Sequence, residues 1–141
     1  MFKVKILTFG KTKDKWLIEA LFEYEKRLSS FFSIKWTFAK DEKHLLSLAK
    51  QEKNIICLEA KGKRLTSEEF SSDLFSFLEK NQHQITFVIG HDKGIPSSTL
   101  ALAKNIWSLS NLTFTHQITR LILLEQIYRA KQIQDNHPYH K

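Results

Sequence analysis

Cysteine occurs once in this chain of 141 residues, proline twice and glycine four times, and each scarcity removes a class of protein. A single thiol, Cys57, excludes an internal disulfide and any cysteine-based zinc site. It lies in the apolar run Ile55-Ile56-Cys57-Leu58, where a buried and inert thiol is expected rather than a nucleophile. So few prolines and glycines leave no room for a flexible linker or a low-complexity repeat, and a single domain over residues 1–141 is expected. No apolar stretch approaches the ~20 residues that cross a bilayer, so no membrane partner is expected. Met1-Phe2-Lys3-Val4-Lys5 enters an alternating strand pattern directly, without the apolar core of a leader peptide. The expected location is the cytoplasm. Neither G-x-G-x-x-G nor a G-K-[ST] phosphate loop is found, which speaks against a dinucleotide site or an NTPase. No H-E-x-x-H and no paired carboxylates accompany His116, His137 and His140, so a metal-dependent hydrolase is disfavoured and no metal is expected.

Apolar residues make up 42% of the chain, with eleven Phe, three Trp and three Tyr. A chain of this length buries roughly two-thirds of its unfolded surface, so these residues form a substantial core. Lys and Arg total 22 against 15 Asp and Glu, for a net charge of +7 and a pI near 9.5. That excess favours polyanion partners without deciding which.

Strand and helix patterns alternate from end to end. Residues 3–9 are β-rich and closed by Gly10; Asp14 opens a helix over 14–30, with Leu17, Leu21, Tyr24 and Leu28 at helical spacing. A strand at 32–38 and a short helix at 42–51 follow. Residues 54–58 are hydrophobic on both faces, as in a central parallel strand. A turn at 60–64 leads to Thr66-Ser67-Glu68-Glu69, a capping-box pattern, and to a helix burying Phe70, Leu74, Phe77 and Leu78. Another buried strand is expected at 85–89, then a loop over 90–94, a helix from near Pro96, a strand at 106–109 and a last helix over 117–134. This alternation implies a mostly parallel α/β sheet covered by helices on both faces.

Ligands of open α/β sheets bind outside the carboxyl ends of the strands, near a switch in strand order. Three connections occupy that position here. One follows Leu58; one is Gly90-His91-Asp92-Lys93-Gly94; one is Leu109-Ser110-Asn111-Leu112-Thr113-Phe114. The second has glycines at both ends, which let backbone approach a ligand. The third mixes hydroxyls, an amide and apolar groups, a set that suits a small amphipathic ligand or serves as an ordinary strand-to-helix connection. The last six residues, Asn136-His137-Pro138-Tyr139-His140-Lys141, gather proton-transfer groups and a phenol around a rigid proline. On their own they read either as a solvated terminus or as a tail facing a nucleotide.

Ile89-Gly90, Gly94, Trp107-Ser108-Leu109-Ser110, Leu112-Thr113-Phe114, His116, Arg120, Glu125, Tyr128-Arg129-Ala130 and His137-Pro138-Tyr139-His140-Lys141 occur together. That constellation resembles the bacterial large-subunit rRNA pseudouridine N3-methyltransferases of the SPOUT, or α/β-knot, superfamily. The resemblance spans the chain and is densest over its last fifty or so residues. It implies a parallel sheet whose C-terminal part is threaded into a trefoil knot, and S-adenosylmethionine-dependent methylation of N3 of a pseudouridine in 23S rRNA on the assembled ribosome. It further implies a homodimer. By position, the cofactor contacts would be Leu58, Gly90, Leu109, Ser110, Asn111, Leu112, Thr113 and Phe114; His137, Tyr139, His140 and Arg129 would surround the target base.

Three positions depart from the family pattern. His91 replaces a second glycine, Lys93 stands where an acidic residue is usual, and Thr115 replaces a proline. A histidine at 91 is expected to strain a left-handed backbone, and Lys93 to reverse a charge beside the cofactor. In the reaction so implied, N3 loses a proton as the methyl arrives. A neutral imidazole, whose ordinary pKa is about 6.5, is suited to accept it: His137 or His140, with Tyr139 holding the base. Lys61, Lys63, Arg64, Arg129 and Lys131 are candidate phosphate contacts. The competing reading is a non-catalytic basic RNA- or ribosome-binding dimer derived from the same fold.

Overall fold

The apolar runs become five strands and the intervening amphipathic stretches become helices in the computed structural model, which describes residues 1–139. In chain order they are β1 (Phe2–Phe9), α1 (Lys15–Leu28), β2 (Phe32–Ala39), α2 (Glu42–Ala49), β3 (Ile55–Arg64), α3 (Ser67–Lys80), β4 (Gln84–Ile89), α4 (Ser97–Leu100), β5 (Asn105–Ser108) and α5 (His116–Gln134). The strands lie in the order β2-β1-β4-β3-β5, and every pairing is parallel. The expected α/β sheet is therefore present. β1 leads outward to β2 and β4 leads outward past β3 to β5, so the switch in strand order falls between β1 and β4.

Alternate residues of each strand point to opposite faces, and both faces are covered. Val4, Ile6, Ile85 and Phe87 meet Leu17 and Leu21 of α1, Leu74 and Leu78 of α3, and Leu123, Leu124 and Ile127 of α5. Leu7, Phe9, Cys57 and Val88 face the other way, against Leu45 and Ala49 of α2 and Ile95. Leu123, Leu124 and Ile127 are fully buried, and truncating any one to alanine costs about 2–5 kcal/mol. Cys57 is fully buried, and burial pushes its thiol up to about 12.

Local signals account for most boundaries. The capping box forms at the start of α3: Thr66 Oγ1 accepts from the Glu69 N–H at 3.1 Å, and Glu69 Oε1 accepts from the Thr66 N–H at 2.8 Å. Asp14 holds the N-cap position of α1 through its backbone carbonyl, which accepts from the Leu17 and Ile18 N–H groups; its side chain makes no capping bond. The helix expected from Pro96 is a single turn.

The expected turn at 60–64 is instead a continuation of β3. Leu58 and Lys63 both pair with Trp107, so residues 59–62 bulge out before the strand rejoins β5. Gly62 permits the return. A Cβ there would lie 2.8 Å from the Ile106 carbonyl carbon and oxygen, so no side chain fits against that backbone.

Candidate active site

The three connections singled out from sequence meet at the carboxyl edge of the sheet and enclose a cavity of about 500 Å³, within the usual range for small-molecule sites. Leu58, Gly90, Leu109, Ser110, Leu112, Thr113 and Phe114 line it. Asn111 is exposed and lies outside the lining. Sequence reasoning missed Glu59 and Thr119 on the same walls, which also carry Lys61, expected as a phosphate contact, and His116 of the family constellation. Glu59 and Lys61 belong to the bulge of β3, which period-2 patterning does not encode.

Each wall has a local cause. His91 and Gly94 form a tight turn in which the Gly94 N–H donates to the His91 carbonyl at 2.8 Å and Gly94 takes φ +83°. The left-handed residue is thus Gly94. His91 is absent from the non-glycine residues with positive φ, which among the described residues are Gln82, His83 and Asn136. The strain expected at His91 does not arise, because the glycine at the other end of the turn supplies the conformation. At Gly90 any Cβ would lie 2.6 Å from the Gly94 carbonyl carbon and 2.8 Å from the Ile95 nitrogen. Here glycine is required by close approach. In the 109–114 connection, Ser110 Oγ accepts from the Leu112 N–H at 3.0 Å and Ser108 Oγ donates to the Ser110 carbonyl at 2.9 Å. Leu112 and Phe114 remain exposed on this wall, at 70% and 41%, an apolar surface that a bound ligand would cover. Thr115 caps α5 through its Oγ1, which accepts from the Ile118 N–H at 3.2 Å; a proline there has no such acceptor.

Beneath the pocket lies a cation. Arg120 is fully buried; its Nη2 donates to the carbonyls of Phe9 at 2.7 Å and Gly10 at 2.8 Å, and its Nη1 to Thr12 Oγ1 at 2.9 Å. Burial pushes the guanidinium down to about 10. Its neighbour His116 lies 3.3 Å from Nη2 and packs on the His91 ring at 4.6 Å. Burial, then Arg120 and His91, hold the His116 pKa below its ordinary value.

The other predicted group lies elsewhere on α5. Asn136 adopts φ +55° just past the helix, a left-handed terminus that turns the chain back. The Tyr139 hydroxyl donates to Glu125 Oε2 at 2.9 Å, and its ring packs on Tyr128 at 5.0 Å under the Arg129 guanidinium at 5.1 Å. Arg129 Nε donates to Glu125 Oε1 at 2.9 Å. Burial, followed by the bond to Glu125, pushes the Tyr139 phenol up to about 12. His137 Nδ1 accepts from the Tyr139 N–H at 3.2 Å. His140 lies outside the described residues. The structure thus brings together Arg129, His137 and Tyr139, but not at the pocket. The pocket reaches His116 and Thr119 of α5, whereas Glu125 is six residues and about 9 Å further along the helix axis.

The pocket's lining combines apolar side chains with serine and threonine hydroxyls, the carboxylates of Glu59 and Asp92, the ammonium groups of Lys61 and Lys93 and the imidazoles of His91 and His116. That mixture of apolar surface, hydroxyls and both signs of charge suits a small amphipathic ligand.

The family described as predicted SPOUT methyltransferase matches residues 2–140. A ribosomal RNA large subunit methyltransferase H from Protochlamydia amoebophila is 48% identical over 141 residues, covering all of both chains. Proteins of the same name from Exiguobacterium sp. and Dictyoglomus thermophilum are 38% and 39% identical, over 98% and 97% of this chain and 99% and 98% of their own. A solved probable methylase family protein from Haemophilus influenzae superposes with a TM-score of 0.58 over 99% of this chain and 70% of its own, at 9% identity, a likeness of fold alone. With a parallel sheet, a carboxyl-edge pocket and relatives matched along their whole length, the chain belongs to the SPOUT methyltransferase family.

Proposed function

We propose that this protein is an S-adenosylmethionine-dependent methyltransferase that modifies N3 of a pseudouridine in 23S rRNA of the large ribosomal subunit. The observation that carries the reading is the 48% identity, without a gap in coverage, to a ribosomal RNA large subunit methyltransferase H. The pocket supports it through its size and lining, and the net charge of +7 suits an rRNA partner.

When bound, S-adenosylmethionine supplies an already activated methyl group, so the chain's task is alignment, which can lower a barrier by roughly 7–11 kcal/mol. Leu58, Leu109, Leu112 and Phe114 would flank the adenosine, Ser110 and Thr113 would offer polar contacts, and Gly90 would let the backbone approach it. Asn111, exposed and outside the lining, would not contact the cofactor within this pocket. His137 or His140 would take the N3 proton, and Tyr139 with Arg129 would hold the base. The resemblance also carries a C-terminal trefoil knot into this proposal. The first turns of α5 are bonded to the β1–α1 connection, with Gln117 Nε2 donating to the Lys11 carbonyl at 3.3 Å and Arg120 donating to Phe9 and Gly10.

Within one protomer the tail and the pocket occupy different levels of α5. The proposal therefore includes a homodimer in which the tail of one copy serves the pocket of the other. Two variants test it together: Gly90→Ala to impair the pocket and Tyr139→Phe to impair the tail. Each alone should lose most methyl transfer to large-subunit rRNA, and mixing them should restore part of it through mixed dimers. Full activity of a chain lacking residues 136–141 would dispose of the tail's role. No binding of S-adenosylmethionine in calorimetry would favour the non-catalytic RNA-binding dimer.

A further inference from the structure

The bulge of β3 places a carboxylate in the wall of the pocket. Glu59 is half-buried, and its Oε1 accepts from the Ile95 N–H at 2.9 Å. The turn closes over it because Gly94 has no side chain. A Cβ at that position would lie 3.0 Å from Oε1 and 3.2 Å from Oε2, and φ +83° further selects glycine there. Among the described residues no lysine, arginine or histidine forms a salt bridge with Glu59. Its one side-chain hydrogen bond among the described residues is the one from the Ile95 N–H. The lining's other carboxylate, Asp92, is 78% exposed and faces His91 Nδ1 at 3.4 Å.

One oxygen of Glu59 is therefore engaged by backbone, and the other faces the pocket without an ion-pair contact, although Lys61 and Lys93 line the same cavity. An ammonium is held through its three N–H donors. A sulfonium has no N–H or O–H donor and asks only for nearby negative charge. We infer that Glu59 is a specificity residue that reads the sulfonium of the methyl donor, so that the pocket prefers the charged donor to the neutral thioether left after transfer. This rests on the proposed methyltransferase reading. It also has a kinetic consequence. A carboxylate beside the sulfonium stabilises the ground state more than the transition state, where the positive charge is dispersed, so removing it weakens donor binding without slowing the chemical step.

The test is calorimetric titration of the wild-type protein and Glu59→Gln with S-adenosylmethionine and with S-adenosylhomocysteine. Glutamine retains an oxygen for the Ile95 N–H and removes the charge. The expected result is roughly tenfold weaker binding of S-adenosylmethionine, the size of one partly desolvated charge contact, with S-adenosylhomocysteine within about twofold of wild type. In turnover the KM for the donor should rise while kcat holds or rises. Glu59→Asp, which keeps the charge, should retain the preference for the donor, and it carries the test if the glutamine variant does not fold. Equal losses for both ligands would overturn the inference, because the side chain would then touch a part they share; so would no loss for either. If the wild-type protein binds neither ligand, the methyltransferase reading itself falls, an outcome distinguishable because it appears before any substitution.

Discussion

Replacing Arg120 by methionine should destabilise the protein by about 3 kcal/mol. The side chain is fully buried and donates three hydrogen bonds between 2.7 and 2.9 Å, two of them to the carbonyls of Phe9 and Gly10. Bonds from a charged donor are each worth about 1.5–3 kcal/mol. Against them stands the cost of burying an arginine with no carboxylate partner, and with Nε unbonded, among the described residues. Its guanidinium is pushed down to about 10 from 12.5, a desolvation cost of roughly 3 kcal/mol. Methionine preserves the apolar stem and removes both the bonds and that cost, so the net loss is smaller than the bonds alone indicate. For a domain of this size about 3 kcal/mol corresponds to a fall in Tm of roughly 10 °C. Differential scanning calorimetry, with urea unfolding at 25 °C beside it, reads the change. A shift under about 2 °C, or a rise, would refute the reasoning and show that the buried cation is a net burden retained for another purpose.

Gly90→Ala forces a methyl to within 2.6 Å of the Gly94 carbonyl carbon. It should cost about 1–3 kcal/mol through overpacking and weaken S-adenosylmethionine binding, as calorimetry would show. His116 has a folded-state pKa below its unfolded value, owing to burial, then Arg120 and His91. The unfolded chain then binds the proton first, so stability held above pH 6.5 is lost as the pH falls through that value. Urea unfolding at pH 7.5 and 5.5 should show a smaller acid loss for His116→Asn than for wild type; equal losses would remove His116 as the cause.

Period and capping carried most of the architecture into view from sequence. Residues 85–89 are buried on both faces as a central parallel strand requires, and Thr66 with Glu69 forms the capping box its spacing implies. What stayed hidden depends on contacts between distant segments. The bulge at 59–62 follows from how Gly62 meets the Ile106 backbone, which no local pattern records. For the same reason Glu59 is not legible as a site residue: it follows the apolar run directly, and only the return of β3 to β5 turns its position into a pocket wall. The tail was legible as chemistry but not as place. Its seat on Glu125 and Tyr128 follows from the left-handed turn at Asn136, which the tail's composition does not encode.

The central position of Cys57 in the sheet has a practical consequence. Its thiol is enclosed and held at about 12, so at neutral pH it offers almost no thiolate to maleimides, iodoacetamides or nitroxide reagents. The unaltered chain is therefore a silent background for labelling. A cysteine introduced at Asn136 or Leu112 becomes the sole addressable handle, and a pair of such handles turns the span between tail and pocket into a spectroscopic ruler. Read within one chain and then between mixed, singly labelled chains, that ruler reports which pocket each tail visits.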